Sequence, residues 1–259
     1  MSYALPDAPA LPQGTIDFHT HVDEAPAYGW IDPPEKLIPL LDEGAVERAV
    51  VMTYRDATSD DPSPLEYVAR AVARYPERLI GFARIAPSQD DSASELLRLA
   101  IGELGFAGLK LHPVGTFQPP SAPATVRLTR VAAELGVPVL FHCGDEGLTT
   151  PTAIEGLARQ VPEACIVLGH MGGYFHAEEA IAVAARNPGI YLETSATPYP
   201  DRIREAVEQL GADRVLFGSD GPGAPPRLEV RKVLMSGLSA EAQAMVLRDN
   251  AIRILGGAA

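Results

Sequence analysis

The stretch TIDFHTHVDE, residues 15 to 24, sets His19 and His21 either side of one threonine, directly after a short apolar run. Alternate side chains of a strand leave by the same face, so two histidines spaced this way point together and can share one metal ion. His-x-His also arises by accident in polar loops, so the pair gains meaning only from what the rest of the chain brings to it. Other ligand-type and proton-carrying residues close later apolar runs: Lys110 and His112 in FAGLKLH, His142 in VPVLFHC, His170 in CIVLGH, and Asp220 in RVLFGSD. Each has a bland reading on its own. A histidine after an apolar run is commonly a capped or water-bonded polar group, Asp220 before Gly-Pro suits an Asx turn, and Lys110 could snorkel to solvent. Together they converge on one place only if the runs are strands of one sheet that all point the same way.

The rest of the chain supports such a sheet. Short apolar runs recur as GTIDFH, ERAVVMTY, RLIGFARI, FAGLKLH, VPVLFHC, CIVLGH, GIYLETS and RVLFGSD, and continuous apolar strands suit a parallel sheet buried on both faces. Between them lie helix-like segments such as SPLEYVARAVARYP, DSASELLRLAIGEL, APATVRLTRVAAELG, AEEAIAVAARN and DRIREAVEQLG. Several open with Ser, Asp or Pro and close at Gly, Asn or Pro. Eight strands alternating with helices over about 250 residues predict a (β/α)8 barrel forming a single domain over residues 1 to 259. An open doubly wound sheet fits less well, because no Gly-x-Gly-x-x-Gly follows the first strand. In a barrel, the ends of the runs form the rim that carries catalysis. Segments 22 to 34, 54 to 64 and 113 to 122 are expected as long connections on that rim, and PGAPP at 222 to 226 as a strand-to-helix loop.

Composition narrows the partners. With 34 acidic and 21 basic residues the formal net charge is −13, which repels a phosphate backbone or an acidic membrane surface, so neither nucleic acid nor membrane is expected as partner. Two cysteines, Cys143 and Cys165, provide no disulfide framework and suit a reducing compartment. The opening MSYALPDAPALPQG lacks a basic segment followed by an apolar one, so it does not read as a signal peptide, and a cytoplasmic location is the expectation.

The motifs DFHTH, GLKLHP, VLFHCG, LGHMGG, LFGSDGP and the late DNAIRIL, taken as a set, resemble the amidohydrolase superfamily, and within it the amidohydrolase-related group that also contains nonoxidative decarboxylases. The resemblance runs along essentially the whole chain. It implies that His19, His21, His142 and Asp220 bind a metal, and that His170 either polarises substrate and shuttles protons beside one ion or helps bind a second. Lys110 stands where the two-metal branch carries a bridging carbamylated lysine, although the wording KLHP favours the one-metal branch. Imidazole and carboxylate donors suit Zn²⁺, the expected ion, with Mn²⁺, Co²⁺, Fe²⁺ or Ni²⁺ also compatible. Water bound to such an ion titrates near 7, so Asp220 taking its proton and His170 stabilising an oxyanion would give a hydrolase of a small amide, ester or lactone.

A decarboxylase of a small aromatic or unsaturated acid is the alternative that uses the same shell. Hydrolysis is preferred here because the chain is short beside typical decarboxylases of the group. A metal-dependent DNase conflicts with the net charge, and a non-catalytic metal-binding barrel conflicts with the intact donor set. Substrate contacts are expected from Arg55, Arg84 and Trp30, with His112 also placed to line the pocket. Tyr28, Phe117, Tyr174, His176 and Tyr199 fall in or near rim loops, while alternation turns Cys143 away from the metal. Related barrels often form homodimers, so a homodimer is a further expectation.

Overall fold

The computed structural model describes residues 10 to 144 and 147 to 258, so the first nine residues of the N-terminal stretch lie outside the described part. Its strands are β1 (Thr15–His21), β2 (Asp23–Ala25), β3 (Trp30–Asp32), β4 (Val46–Met52), β5 (Leu79–Arg84), β6 (Gly108–Leu111), β7 (Val139–Phe141), β8 (Ile166–Leu168), β9 (Ile190–Glu193) and β10 (Val215–Leu216). Eight of them, all but β2 and β3, pair in parallel in chain order, with helices between successive strands. This is the (β/α)8 barrel that the alternation of apolar runs predicts. The seam closes beyond the short β10: Phe18 N–H donates to Phe217 O (2.9 Å), Asp220 N–H to His19 O (2.8 Å) and His21 N–H to Gly221 O (2.7 Å).

Two apolar layers hold the fold. The outer one joins strand residues such as Ala49, Val51, Leu109, Phe141 and Leu168 to the apolar stripes of the surrounding helices. The inner one fills the barrel with Phe18, Met52, Phe82, Leu140, Val167 and Leu216, and includes Ala251 and Leu255 of the last helix. Phe18 and Phe82 meet edge to face at 5.5 Å between ring centres. Gly108 sits under them, since a β-carbon there would come within 2.3 Å of the Phe82 ring.

Phe18 and His19 are neighbours, yet both belong to the barrel interior. A regular strand would send them to opposite faces. The register of β1 against β4 shifts between Asp17 and Thr20, and this irregularity lets β1 place Phe18 in the inner core and then His19 and His21 above it. The connections differ from expectation in three places. Segment 22 to 34 is not an open loop but contains the antiparallel pair β2 and β3, in which Asp23 faces Asp32 and Ala25 faces Trp30. Segment 113 to 122 begins with a short helix, Pro113–Thr116. The sixth run stops at Leu168, so His170 stands in a 3-10 turn with φ 63°. Residues 222 to 225 form the expected loop before the helix Pro226–Leu234. No helix among the described residues is long and apolar enough to cross a membrane.

Replacing Gly108 by Ala forces the Phe18–Phe82 pair apart in a filled interior and is expected to cost about 1 to 3 kcal/mol. Urea unfolding of the variant against the native chain measures this, and an unchanged midpoint would contradict the packing described.

Candidate metal centre and pocket

The barrel seam brings three donors together. Because Asp220 N–H is bonded to His19 O, the Asp220 side chain stands beside the β1 histidines, with Oδ1 3.1 Å from His21 Nε2 and 3.6 Å from His19 Nε2. Donor atoms at about 2.0 to 2.2 Å from one ion lie roughly 3 to 3.5 Å apart, so these spacings fit a shared divalent metal. Asp220 reaches this position with a left-handed backbone, φ 62°, a conformation sparsely populated by residues other than glycine.

Sequence reasoning did not single out Glu193, which ends β9 in IYLETS just as the other site residues end their runs. Its buried carboxylate accepts from His19 Nδ1 (2.9 Å), Ser195 Oγ (2.9 Å), His170 N–H (3.3 Å) and Ser195 N–H. Gly218 makes the room, because a β-carbon there would lie 2.2 Å from Glu193 Oε1. These contacts fix proton positions. A carboxylate only accepts, so His19 carries its proton on Nδ1 and presents the Nε2 lone pair to a metal. Ser195 gives its O–H to Glu193 and therefore accepts from His170 Nδ1 (2.8 Å); His170 Nε2 in turn accepts from His142 Nδ1 at 3.1 Å. The chain His142–His170–Ser195–Glu193 is thus continuous from pocket to barrel core.

Other expected site residues are placed as follows. His142 lies outside the close trio of donors and stacks on His112 at 4.2 Å between ring centres. His112 also accepts from Gly115 N–H at 2.9 Å as the cap of the short helix. Lys110 is buried, with Nζ 2.8 Å from His19 Nε2. Arg84, next to Lys110 in register, is buried and paired with Asp56 at 3.1 Å. Arg55 is held by the buried Asp23 at 3.0 Å in an ion pair. Trp30 stacks on Tyr54 rather than standing alone at the mouth. His176 pairs with Glu179 at 2.9 Å, and Cys143 joins the outer core. Phe117, Tyr28 and Tyr199 are exposed on the rim. A cavity of about 250 Å³ opens above the centre, lined by His142, His170, Tyr174, Phe175, Ala196 and Asp220 among others.

Burial pushes the imidazoles of His19, His21, His112 and His170 down from their usual range, with the neighbouring Lys110 charge adding to the effect at His19. Burial and the Arg84 charge bring Lys110 down to about 7. Burial would raise Asp220, but the hydrogen bond from His21 and the surrounding imidazoles outweigh it and hold this carboxyl well below its usual range. Neutral imidazoles beside an ionised carboxylate are the protonation states a divalent cation requires.

Comparison with known proteins agrees with this geometry. The amidohydrolase family model matches residues 16 to 257. The chain belongs to that family. The gamma-resorcylate decarboxylase of Polaromonas sp. is 23% identical over 253 residues, covering 74% of this chain and 78% of the relative. The 5-carboxyvanillate decarboxylase structure from Sphingomonas paucimobilis superposes with TM-score 0.75 at 18% identity, covering 94% of this chain and 99% of that one. A Polaromonas dihydroxybenzoic acid decarboxylase structure, holding manganese and the inhibitor 2-nitroresorcinol, gives TM-score 0.75 at 19% identity over 94% and 97% of the two chains. These relatives overturn the expectation of a hydrolase acting on an amide, ester or lactone. Chain length, which favoured hydrolysis, does not discriminate, because the chain spans most of the Polaromonas decarboxylase, and the donor set itself serves both chemistries.

In metal-free protein the four neutral histidines take up protons only on unfolding. Below their ordinary 6.5 the unfolded state then binds more protons, so stability falls with pH by about 1.4 kcal/mol per unit for each such group. Asp17, raised to about 8 by burial, opposes them by one proton down to its ordinary 3.8, and Lys110 contributes only above about 7. Denaturant unfolding in chelator is therefore expected to show a marked loss of stability from pH 7 to pH 5. A flat profile would show that these imidazoles are not held neutral.

Proposed function

We propose that this protein is a metal-dependent nonoxidative decarboxylase of a small aromatic carboxylic acid. The observation that carries the reading is the joining of the His19–His21–Asp220 donor set to an aromatic-lipped cavity, in a chain whose curated relatives are decarboxylases. His19, His21 and Asp220 would hold a divalent ion, with His142 the candidate for a further protein donor. Manganese is supported by the ion in the Polaromonas relative, and zinc by the imidazole and carboxylate donors. When bound, such an ion supplies Lewis-acid attraction for the substrate's oxygens.

The protein's own residues account for the rest. Loss of CO₂ from an arene carboxylate requires a proton at the carbon that bore it: the C–C bond breaks, its electron pair stays with the ring, and the new C–H bond takes that pair. Asp220 is the one carboxylate among the described residues lining the cavity, and we assign it as the group that carries this proton. Asp220 is ionised at rest, so the proton it delivers is first taken from solvent or from an acidic group of the substrate. Lys110 and Arg84 are buried beside the donor set, Lys110 brought down to about 7 and Arg84 paired with Asp56. Tyr174 and Phe175 offer flat apolar faces for an aromatic ring at the lip. The hydrogen-bonded His142 and His170 hold the wall between the donor set and the lip.

Purified protein loaded with Mn²⁺ or Zn²⁺ is expected to release CO₂ from hydroxylated benzoates such as 2,6-dihydroxybenzoate, to lose that activity in chelator, and in D₂O to place deuterium at the vacated ring carbon. Absence of CO₂ release across a panel of hydroxybenzoates by fully loaded protein would exclude the assignment. The Asp220→Asn variant should lose about 100- to 10,000-fold in kcat, the range expected for removing a proton-transfer group. Metal analysis of the His19→Ala, His21→Ala double variant should show the ion lost, and retention of metal there would move the centre elsewhere.

A further inference from the structure

Two of the site histidines have their remote ring nitrogen fixed by a hydrogen bond: His19 Nδ1 by Glu193 and His170 Nδ1 by Ser195. His21 does not. Its Nδ1 is buried and has no hydrogen-bond partner among the described residues, although its Nε2 stands 3.1 Å from Asp220 in the proposed donor set. A metal-ligating histidine normally has its second nitrogen held, because that contact sets the ring's orientation. The His21 ring must be oriented in another way.

The ring lies almost parallel to Tyr54, with centres 4.5 Å apart and an interplanar angle of 18°, and Tyr54 lies against Trp30 at 4.3 Å and 22°. Three flat rings thus stand in a row from the donor set to the surface. Rotation about χ2 of histidine is intrinsically loose, and a ring packed face to face resists it because turning drives its edge into the neighbour. Tyr54 is itself held from behind. Asp23 accepts from Tyr54 N–H (3.2 Å), from Arg55 N–H (3.3 Å) and from the Arg55 guanidinium, so the end of β4 is tied to the β2–β3 hairpin that carries Trp30. We propose that Tyr54 is the positioning residue for His21, orienting the ligand by stacking where the other histidines use hydrogen bonds, with Trp30 clamping the stack from the solvent side. This assigns the hairpin and the Asp23–Arg55 pair a purpose: they set the geometry of a metal ligand they do not touch.

The inference rests on the proposed metal centre, and metal affinity separates the two. Chelated protein is titrated with Mn²⁺ or Zn²⁺ against a competing chromophoric chelator, for the native chain and for Tyr54→Ala, Tyr54→Phe and Trp30→Ala. Loss of an orienting contact around a ligand weakens metal binding by about 10- to 100-fold, the expected rise in Kd for Tyr54→Ala. Tyr54→Phe keeps the flat ring and should bind as the native chain does. Trp30→Ala should fall between the two. Trp30 is 40% exposed, so its removal leaves the core intact and tests the stack even if Tyr54→Ala fails to fold. A native Kd in folded Tyr54→Ala, or in Trp30→Ala where Tyr54→Ala does not fold, would overturn the inference alone. Tyr54→Phe as weak as Tyr54→Ala would place the effect in the hydroxyl and overturn the stacking mechanism. A native chain that binds neither metal would overturn the inference together with the metal centre.

Discussion

The seam between β1 and the chain after β10 is the contact on which the site depends. Three backbone hydrogen bonds cross it, and one of them joins Asp220 N–H to His19 O. Barrel closure and assembly of the donor set are therefore one event. A strand displaced by one residue along this seam would turn His19 and His21 out of the interior and carry Asp220 away from them, since side-chain direction alternates at every residue. The register shift in β1 serves the same end, because it lets one strand supply both Phe18 to the packed interior and two histidines above it. The left-handed backbone at Asp220, His170 and Ala196 lies just beyond three successive strands. Such conformations cost about 1 to 3 kcal/mol each and persist where the surrounding structure over-determines them.

Electrostatically the barrel mouth alternates charge in a confined space. Glu193 and Asp220 bracket His19, Lys110 reaches the same imidazole from β6, and Arg84 stands next to Lys110 with Asp56 as its partner. Each buried charge has a neighbour of opposite sign or a set of hydrogen bonds, which is the condition under which charges remain in a protein interior. Glu193 is central because it cannot donate. Its two oxygens dictate which nitrogen of His19 is protonated and, through Ser195, which nitrogen of His170 is. The orienting duty is therefore divided: a carboxylate and a hydroxyl fix two histidines, and aromatic faces pack against the third.

The same shell explains why hydrolysis and decarboxylation are hard to tell apart from ligands. Two histidines and a carboxylate at a barrel rim can serve either reaction, and the difference lies in what the walls present to the organic part of the substrate. Here the lip is aromatic, with Phe175 83% exposed and Tyr174 beside it, and such flat apolar faces suit an aromatic ring.

Much of this was legible in the chain itself. Period and punctuation gave eight parallel strands with intervening helices, because strands buried on both faces must be continuously apolar. Ligand-type residues at the ends of those runs gave the rim, because parallel strands put all their C-terminal ends on one side. Glu193 obeyed the same rule and could have been found at the end of GIYLETS. What sequence could not supply was anything that depends on the path of a loop or the register of a seam. The hairpin in 22 to 34 comes from antiparallel pairing between short segments with little periodic signal. Arg55 and Trp30 are suitable substrate-binding residue types, yet folding gives them to Asp23 and Tyr54. Residue types and strand direction are written locally and survive any detail of packing; which side chain answers which is decided by distances between segments far apart in the chain, and only closure of the barrel sets those distances.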